Sequence, residues 1–143
     1  MIRPGTPADA PACARILNGW IDATPWMPRV HPAEDVVRYH SEVVLAERRV
    51  WVWGDPVRGY LALDDLEGCI TALYLAAEAR GRGIGRALLD TAKASRNRLW
   101  LWTFQANRGA RRFYEANGFQ QDGRTDGDNE EGVPDIRYRW AAS

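Results

Sequence analysis

The amino-acid sequence predicts a fold of the α+β (mixed α/β) class, and three observations along the chain indicate it. Apolar residues before position 48 recur at helical spacing, which predicts two helices. From Val50 to Leu75, short β-branched and aromatic runs alternate with turn residues, which predicts an antiparallel meander. From the third of these runs onward the pattern is strand, helix, strand, helix, strand, so helices and a sheet are interleaved.

The first helical region is bounded by capping residues and prolines. After a short opening strand, Thr6 and Asp9 compete as the cap of the first helix. A proline deeper than the first turn would lose a backbone hydrogen bond, so Pro11 favours the later start. The prolines of segment 24–28 exclude regular helix there, and a second helix is predicted over about 33–47.

The later elements follow from changes in hydrophobic period and from turn residues. The predicted strands are Val50–Trp53, Val57–Leu63, Cys69–Leu75, Leu99–Phe104 and Ile136–Trp140, with helices over 84–95 and from Asn107 to Gly118. Among the tryptophans of these strands, we expect Trp51, Trp53, Trp100 and Trp102 in the core.

Length and composition limit the class of protein. The chain of 143 residues, 45% of them apolar, fits one folded domain over residues 1–143. The formal net charge is zero, so no overall field favours nucleic acid or an anionic membrane. No apolar run approaches the roughly 20 residues of a membrane helix, and the first residues lack a signal-peptide core. Cys13 and Cys69 lack metal-binding spacing, so we expect reduced thiols, no metal and a cytoplasmic protein.

A loop rich in glycine and arginine, residues 80–86 (RGRGIGR), lies between the third predicted strand of the meander and the next helix. Successive glycines let backbone N–H groups converge on one point, and a helix start adds free N–H groups and a positive dipole end. Arg80, Arg82 and Arg86 add charged donors that suit phosphate. The loop therefore predicts a phosphate or pyrophosphate site.

Two familiar phosphate-binding loops do not fit this segment. A Walker loop requires a lysine directly after its last glycine, and no lysine follows these glycines. A dinucleotide fingerprint requires G-x-G-x-x-G in a parallel unit and an acidic residue about 20 positions later. Here the spacing is G-x-G-x-G, the preceding strands are predicted to be antiparallel, and Gln105 follows the strand that ends at Phe104.

Two motifs in the central half of the chain carry a family resemblance. Arg80, Gly83 and Gly85 match the signature R/Q-x-x-G-x-G/A between a strand and a helix. Downstream, segment 107–119 (NRGARRFYEANGF) matches N-x-x-A-x-x-F-Y-x-x-x-G-F. In this order and spacing, the two motifs resemble the acetyl-CoA signature and the following helix of the GNAT N-acetyltransferases. The resemblance is close over roughly residues 73–119 and looser at the start of the chain.

The resemblance implies a GNAT-like architecture and a co-substrate. The architecture is a central mixed sheet of about six to seven strands flanked by about four helices, with two splayed parallel strands. Acetyl-CoA would rest its pyrophosphate on the loop and pair its pantetheine arm with the edge of the preceding strand. The implied cofactor-binding residues are Leu73, Leu75, Arg80, Gly81, Arg82, Gly83, Gly85, Arg86 and Asn107.

The implied reaction is direct attack of an acceptor amine on the thioester. A backbone N–H near Leu75 would stabilise the oxyanion, and Tyr114 would protonate the departing sulfur. An amine with a pKa of about 10 must lose a proton before it can attack. No base is evident, because the strand before the loop carries no glutamate. His31, Glu34 and a water relay stay open.

The resemblance places the acceptor pocket among the first helix, the loop after it and the last strand connection. These segments carry Trp20, Trp26, Met27 and His31, together with the acidic stretch 126–135. Because aromatic rings and carboxylates suit a cation, we expect a small-molecule amine as the acceptor.

Two rival classes stay open beside an acetyltransferase. A CoA-binding regulatory module without turnover would keep the loop but would need no base. A nucleic-acid-binding protein would use the basic stretch 80–98, although the balanced charge and the position of the loop before a helix argue against it. The resemblance also leaves a homodimer open, since many members of the family dimerise.

Overall fold

The architecture was obtained as a computed structural model, which describes all 143 residues and contains one mixed seven-stranded sheet. The strands are β1 Ile2–Pro4, β2 Arg49–Trp53, β3 Gly59–Asp64, β4 Cys69–Leu75, β5 Arg98–Phe104, β6 Gln120–Thr125 and β7 Asp135–Ala141. The helices are α1 Ala10–Ala23, α2, α3 Ile84–Ser95 and α4 Arg108–Ala116. Helix α2 joins Ala33–Tyr39, a π-helical segment His40–Val44 and a last turn Leu45–Glu47.

The predicted fold class is confirmed, with seven strands and four helices. The strand order is β1-β2-β3-β4-β5-β7-β6, and every neighbouring pair is antiparallel except β4 and β5. Strand β6 is not among the predicted strands; four of its six residues, Gln120–Thr125, are exposed and none is buried. An edge strand that buries neither face has no apolar alternation, and β6 pairs only with β7.

The core forms two layers, one on each face of the sheet. Alternation along β3 illustrates this arrangement, because Leu61 and Leu63 pack in the larger cluster while Tyr60 and Ala62 pack in the smaller one. The larger cluster includes the apolar faces of α3 and α4, and the smaller one includes α1 and α2. The glycine-arginine loop therefore enters a helix that is fixed against the sheet.

The expectation that all four strand tryptophans are core residues is wrong for Trp102, which is 43% exposed, and for Trp100, which is partly buried and belongs to neither core cluster. On β5, Leu99 and Leu101 pack in the larger cluster, so Trp102 projects from the opposite face of the sheet. The guanidinium of Arg137 lies 5.8 Å from the centre of its ring. Trp51, in contrast, is buried as expected.

Strands β4 and β5 separate soon after they meet. Their only register pair is Cys69 with Trp100, near the start of each strand. The pairing of β3 with β4 shifts register next to Ala62 and Leu63, which marks a bulge at Thr71 of β4. A bulge bends its strand and increases its twist. The splay expected from the family resemblance is therefore present, and it opens a space between the two strands beyond Cys69.

At the start of α1, Asp9 occupies the cap position, but its side chain makes no capping hydrogen bond to that helix. Segment Pro7–Asp9 forms a short 3-10 turn that begins after Thr6, and α1 follows it. The carboxylate of Asp9 accepts a hydrogen bond from the backbone N–H of Thr6 at 2.8 Å and two from the guanidinium of Arg3, both at 2.8 Å. This network joins β1 to the first helix.

Replacing Asp9 with asparagine should lower the free energy of unfolding by about 2 kcal/mol at pH 7. The hydrogen bonds from Arg3 hold the pKa of Asp9 at about 2, below its ordinary 3.8. Because the folded-state pKa is depressed, this stabilisation is complete above about pH 4 and is lost as the pH falls toward about 2. Urea unfolding of both proteins at pH 7 and at about pH 2.5 measures the difference, which should shrink in acid.

The control for this prediction is Asp90→Asn, which removes a surface pair with Arg86 at 3.8 Å and should change stability little. An undiminished gap between wild type and Asp9→Asn at low pH would show that the ion pair is not its source.

Helices α3 and α4 are joined at their C-terminal ends by Lys93. Its Nζ donates a hydrogen bond to the carbonyl of Asn117 and lies 5.2 Å from the ring centre of Trp140 and 5.7 Å from that of Phe119.

No helix combines the length and the apolarity needed to cross a membrane.

Candidate active site

The loop between β4 and α3 presents a row of free backbone N–H groups. Gly81 and Gly83 have φ angles of 73° and 79°, in the left-handed region that favours glycine. The N–H groups of residues 81–86 donate no hydrogen bond to the protein, and α3 begins at Ile84. A Cβ added at Gly81 or Gly83 would meet no atom within 4 Å, so the space beside the loop is open. This geometry fits a phosphate or a pyrophosphate.

A cleft of about 540 Å³, here called the loop cleft, runs from this loop along β4 to α4. It is lined by most of the residues predicted for the cofactor and for catalysis: Leu73, Leu75, Arg80, Gly81, Gly85, Asn107 and Tyr114. Arg82, Gly83 and Arg86 do not line it and are exposed. The loop, the edge of β4 and α4 thus surround one space, and Arg82 and Arg86 lie outside it.

Asn107 lies between the end of β5 and the start of α4. Its Oδ1 accepts a hydrogen bond from the backbone N–H of Ala110 at 3.1 Å, so it caps the helix as predicted. The amide nitrogen of the same side chain has no partner within the protein and is free to donate. Asn107 therefore fixes the start of α4 and leaves one donor for a ligand in the loop cleft.

Tyr114 stands at the inner end of the loop cleft. Its ring packs edge-on against Phe113 and Phe119 at centroid distances of 5.2 and 5.5 Å. No group of the protein hydrogen-bonds to its hydroxyl, although the residue lines both the loop cleft and a narrow cavity of about 70 Å³ between β4 and β5. Burial raises the pKa of Tyr114 above its ordinary value, so the phenol stays protonated at neutral pH. It can donate a proton into the cleft.

A second cavity, of about 430 Å³ and here called the acidic cavity, lies among α1, α2 and the loop between β6 and β7. The carboxylates of Asp35, Glu130 and Glu131 line it, and no lysine or arginine does. Its aromatic lining comprises Trp20, Tyr39, Tyr74 and Phe104. Such a cavity favours a cation over an anion or a neutral ligand.

The predicted acceptor residues reach this cavity in part. Trp20, Met27 and His31 line it. Trp26 does not, because its ring packs against Trp20 and Phe104, each at a centroid distance of 5.8 Å. Trp26 therefore supports the aromatic wall instead of forming it.

The acidic stretch 126–135 divides into two roles. Glu130 and Glu131 line the acidic cavity, as described above. Asp135 is buried and accepts hydrogen bonds from the hydroxyl of Thr125 at 2.5 Å and from Asn129 Nδ2 at 3.0 Å. Its carboxylate holds the loop between β6 and β7 in place, which fixes the position of the two glutamates.

The loop cleft and the acidic cavity meet at Trp20 and Tyr74, which line both. Their ring centroids are 5.4 Å apart. Burial, with a smaller effect of nearby Glu131, raises the pKa of Tyr74 to about 12. Tyr74 is not among the predicted site residues, although the two-residue period of a strand indicates which face it occupies. Leu73 and Leu75 face α3 and α4, so Tyr74 between them must face α1.

His40 also lines the acidic cavity, but both of its ring nitrogens are engaged. Nδ1 lies 2.8 Å from the carbonyl of Val36, and Nε2 lies 2.8 Å from the hydroxyl of Tyr60. Since a carbonyl only accepts, Nδ1 carries the proton and Nε2 accepts from Tyr60. Burial lowers the pKa of His40. His40 is therefore a neutral structural link between α2 and β3.

Neither cysteine is poised to carry an acyl group. Burial raises the pKa of Cys13 to about 12 and that of Cys69 to about 11, so both stay thiols at neutral pH. Neither residue lines the loop cleft or the acidic cavity. Transfer through a cysteine thioester therefore has no support in this geometry.

Comparison with known proteins agrees with this architecture. The family model described as acetyltransferase (GNAT) domain matches residues 40–121. The peptidyl-lysine N-acetyltransferase YiaC of Escherichia coli (strain K12) is 30% identical over 125 residues, which cover 83% of this chain and 82% of YiaC. The apo form of YjaB from Escherichia coli has a TM-score of 0.79 at 22% identity and covers 100% of this chain and 98% of that one. Salmonella typhimurium yncA, solved with acetyl-CoA, has a TM-score of 0.72 at 19% identity, with coverage of 100% and 94%.

Proposed function

Because the chain belongs to the GNAT acetyltransferase family, we propose that it moves the acetyl group of acetyl-CoA directly to the nitrogen of a small cationic amine. One observation carries the proposal. The loop cleft ends on free N–H groups that suit a pyrophosphate, the acidic cavity suits a cation, and the two share Trp20 and Tyr74. An acyl donor and an amine bound in these spaces would meet at that junction.

The residues that would hold acetyl-CoA fit it in kind and in position. The free N–H groups of residues 81–86 and the guanidinium of Arg80 would bind the pyrophosphate. The unpaired edge of β4 and the Asn107 amide would bind the amide-rich arm. When bound, acetyl-CoA supplies the acetyl group as an activated thioester. Arg82 and Arg86 would add charge from outside the cleft.

Tyr114 would act as the proton donor for the leaving sulfur. Its hydroxyl has no partner in the protein, and its raised pKa keeps it protonated, so it would be available to donate to the charge that develops on the sulfur. The oxyanion would be stabilised by a backbone N–H of β4 near Leu75, at the edge that β5 leaves unpaired.

The nature of the acceptor follows from the lining of the acidic cavity. Asp35 pairs with Arg38 at 3.4 Å and Glu130 pairs with His31, which leaves Glu131 without a cationic partner in the protein. This carboxylate, beside aromatic rings, favours a ligand that is positively charged. A volume of about 430 Å³ falls in the range of small-molecule pockets. A second candidate acceptor is the lysine side chain of a protein, since the relative YiaC is a peptidyl-lysine N-acetyltransferase. Free thiols and the use of acetyl-CoA agree with the cytoplasm as the place of action.

A thiol-release screen tests the proposal. Purified protein is mixed with acetyl-CoA and a panel of amines that contains monoamines, diamines, amino-acid amides, neutral anilines and a lysine peptide. We expect release of CoA with small cationic alkyl amines and little with neutral anilines. Glu131→Gln should raise KM for the best amine about tenfold, the loss of one charged contact, with kcat nearly unchanged. Asp128→Asn, on the same loop but outside the acidic cavity, is the control.

Three outcomes would speak against parts of this proposal. Acetylation of the lysine peptide alone would replace the small amine with a protein acceptor. Binding of CoA without turnover on any amine would favour the rival regulatory module. Preference for a neutral or anionic amine would show that the carboxylates of the acidic cavity do not select the acceptor.

A further inference from the structure

The acidic cavity is spanned by one contact between two loops that are 99 positions apart in the chain. Nε2 of His31, in the segment between α1 and α2, pairs with Oε1 of Glu130, in the loop between β6 and β7. Both side chains are about half exposed, at 55% and 57%. They are therefore fixed by each other and remain accessible to a ligand in the cavity.

Each of the two loops is held by its own network. Arg29 donates hydrogen bonds to Asn18 Oδ1 at 3.0 Å, to the backbone carbonyl of His31 at 3.1 Å and to Asp22 at 2.9 Å. On the other side, Asn129 Nδ2 donates to the carbonyl of Val133 at 2.7 Å, next to Glu130. The pair is thus supported on both sides by contacts that do not involve its two side chains, as expected of a preorganised group.

We propose that His31 is the general base that removes a proton from the acceptor ammonium group, and that Glu130 is the residue that positions it. The proposal rests on the function proposed above. It assigns a role that the sequence left open among His31, Glu34 and a water relay.

The chemistry of the imidazole supports this role. With Nε2–H directed at a carboxylate, a neutral His31 keeps its lone pair on Nδ1, which is then the free nitrogen for a proton. A carboxylate that orients a histidine through one nitrogen and leaves the other for the substrate is a recurring arrangement in catalysis.

The alternatives are weaker on geometric grounds. His40, the other histidine in the acidic cavity, uses both ring nitrogens within the protein. Glu34 is exposed and lines neither the acidic cavity nor the loop cleft. A proton relay through water alone would not involve His31, so a His31 variant would then keep the kcat of the wild type.

The proton balance of the reaction is complete with His31 and Tyr114. An alkyl ammonium group carries three protons, and the product amide keeps one. The first proton passes to Nδ1 of His31 and from there to solvent, which the half-exposed ring contacts. The nitrogen–carbon bond then forms while the carbon–sulfur bond breaks. The sulfur takes the proton of Tyr114, and the last ammonium proton restores that hydroxyl.

The test compares pH profiles of wild type, His31→Gln and Glu130→Gln with the best amine from the screen. For His31→Gln we expect kcat to fall by about 10²-fold, the usual effect of losing a general base, with the acidic limb of the profile lost. KM should change less than about threefold. For Glu130→Gln kcat should also fall, because the imidazole loses the carboxylate that orients it. The titratable and charged groups around His31 that shape these profiles are Arg29, Asp35, Tyr39, His40, Tyr74, Glu130 and Glu131.

Controls separate catalysis from folding. Glu42→Gln, on the exposed side of α2, should keep the wild-type profile. Calorimetry should give the same Kd for CoA in all variants. His31→Ala should regain part of its rate when free imidazole is added, which a purely structural histidine would not show.

Each outcome decides the proposal. An unchanged acidic limb in His31→Gln, or a loss confined to KM, would overturn it while the acetyltransferase function stands. Absence of turnover by the wild-type protein on the whole panel would overturn both, and CoA binding would then be the activity that remains.

Discussion

Replacing Tyr114 with phenylalanine should lower kcat by about 10²-fold, the range expected when a general acid is lost. The substitution removes one hydroxyl that has no partner in the protein and leaves the ring packing against Phe113 and Phe119 intact. Because the hydroxyl would interact mainly with the charge that develops on the sulfur, kcat and kcat/KM should fall together. The Kd for CoA and the unfolding midpoint should stay close to those of the wild type.

The chain contains a matched control for this experiment in the same aromatic cluster. Tyr138 is buried, and its ring centroid lies 6.2 Å from that of Tyr114. Its hydroxyl donates a 2.6 Å hydrogen bond to Glu115, and it does not line the loop cleft. Tyr138→Phe should therefore lower the free energy of unfolding by about 1–2 kcal/mol and leave kcat nearly unchanged.

Steady-state kinetics and urea unfolding on the three proteins separate the two roles of a buried tyrosine. Near-wild-type kcat in Tyr114→Phe, with chemistry shown to be rate-limiting, would leave the sulfur to be protonated by water. Tyr114 would then be a core residue like Tyr138.

Replacing Gly83 with valine should raise the Kd for CoA by tenfold or more, which corresponds to about 1.4 kcal/mol of binding energy. The side chain would occupy the open space beside the loop, where a Cβ now meets no atom within 4 Å. It would also strain a residue whose φ angle is 79° and disturb the row of free N–H groups at the start of α3. Titration calorimetry with CoA gives the measurement.

Gly132→Val is the control for the backbone strain. Gly132 has a φ angle of 68° and equally open surroundings, but it lies in the loop between β6 and β7. Both variants should lose similar amounts of stability, while only Gly83→Val should lose affinity. Equal Kd values for CoA in the two folded variants would remove the loop from the binding site.

The central half of the chain was predictable because its constraints are local. A helix start after glycines, an asparagine cap and a strand of apolar residues each act within a few positions, so Gly83, Asn107 and Leu73 could be placed from the sequence. The same locality allowed α2 to be predicted over 33–47, although its π-helical segment His40–Val44 carries no sequence signal that we recognised.

The acidic cavity was less predictable because tertiary contacts build it. Glu130 and His31 become neighbours only when the sheet brings the two loops together, and no periodicity links positions so far apart. Trp26 is an aromatic residue in the predicted pocket segment, but it does not line the acidic cavity, because its ring packs against Trp20 and Phe104. Strand β6 could not be predicted for a related reason, because its pairing with β7, and not an alternation in its own sequence, makes it a strand.

The position of Lys93 has a consequence for self-modification. It is the only lysine in the sequence, and its amine is committed to a carbonyl at the end of α4 and to the face of Trp140. An enzyme that acetylates amines while it holds a reactive thioester would otherwise expose its own lysines to the reaction. Here arginines provide nearly all of the positive charge, and a guanidinium is a poor acyl acceptor at neutral pH because it stays protonated. The protein can therefore be basic around its co-substrate without offering it a free lysine, and acetyl-lysine detected in an assay mixture would come from the acceptor.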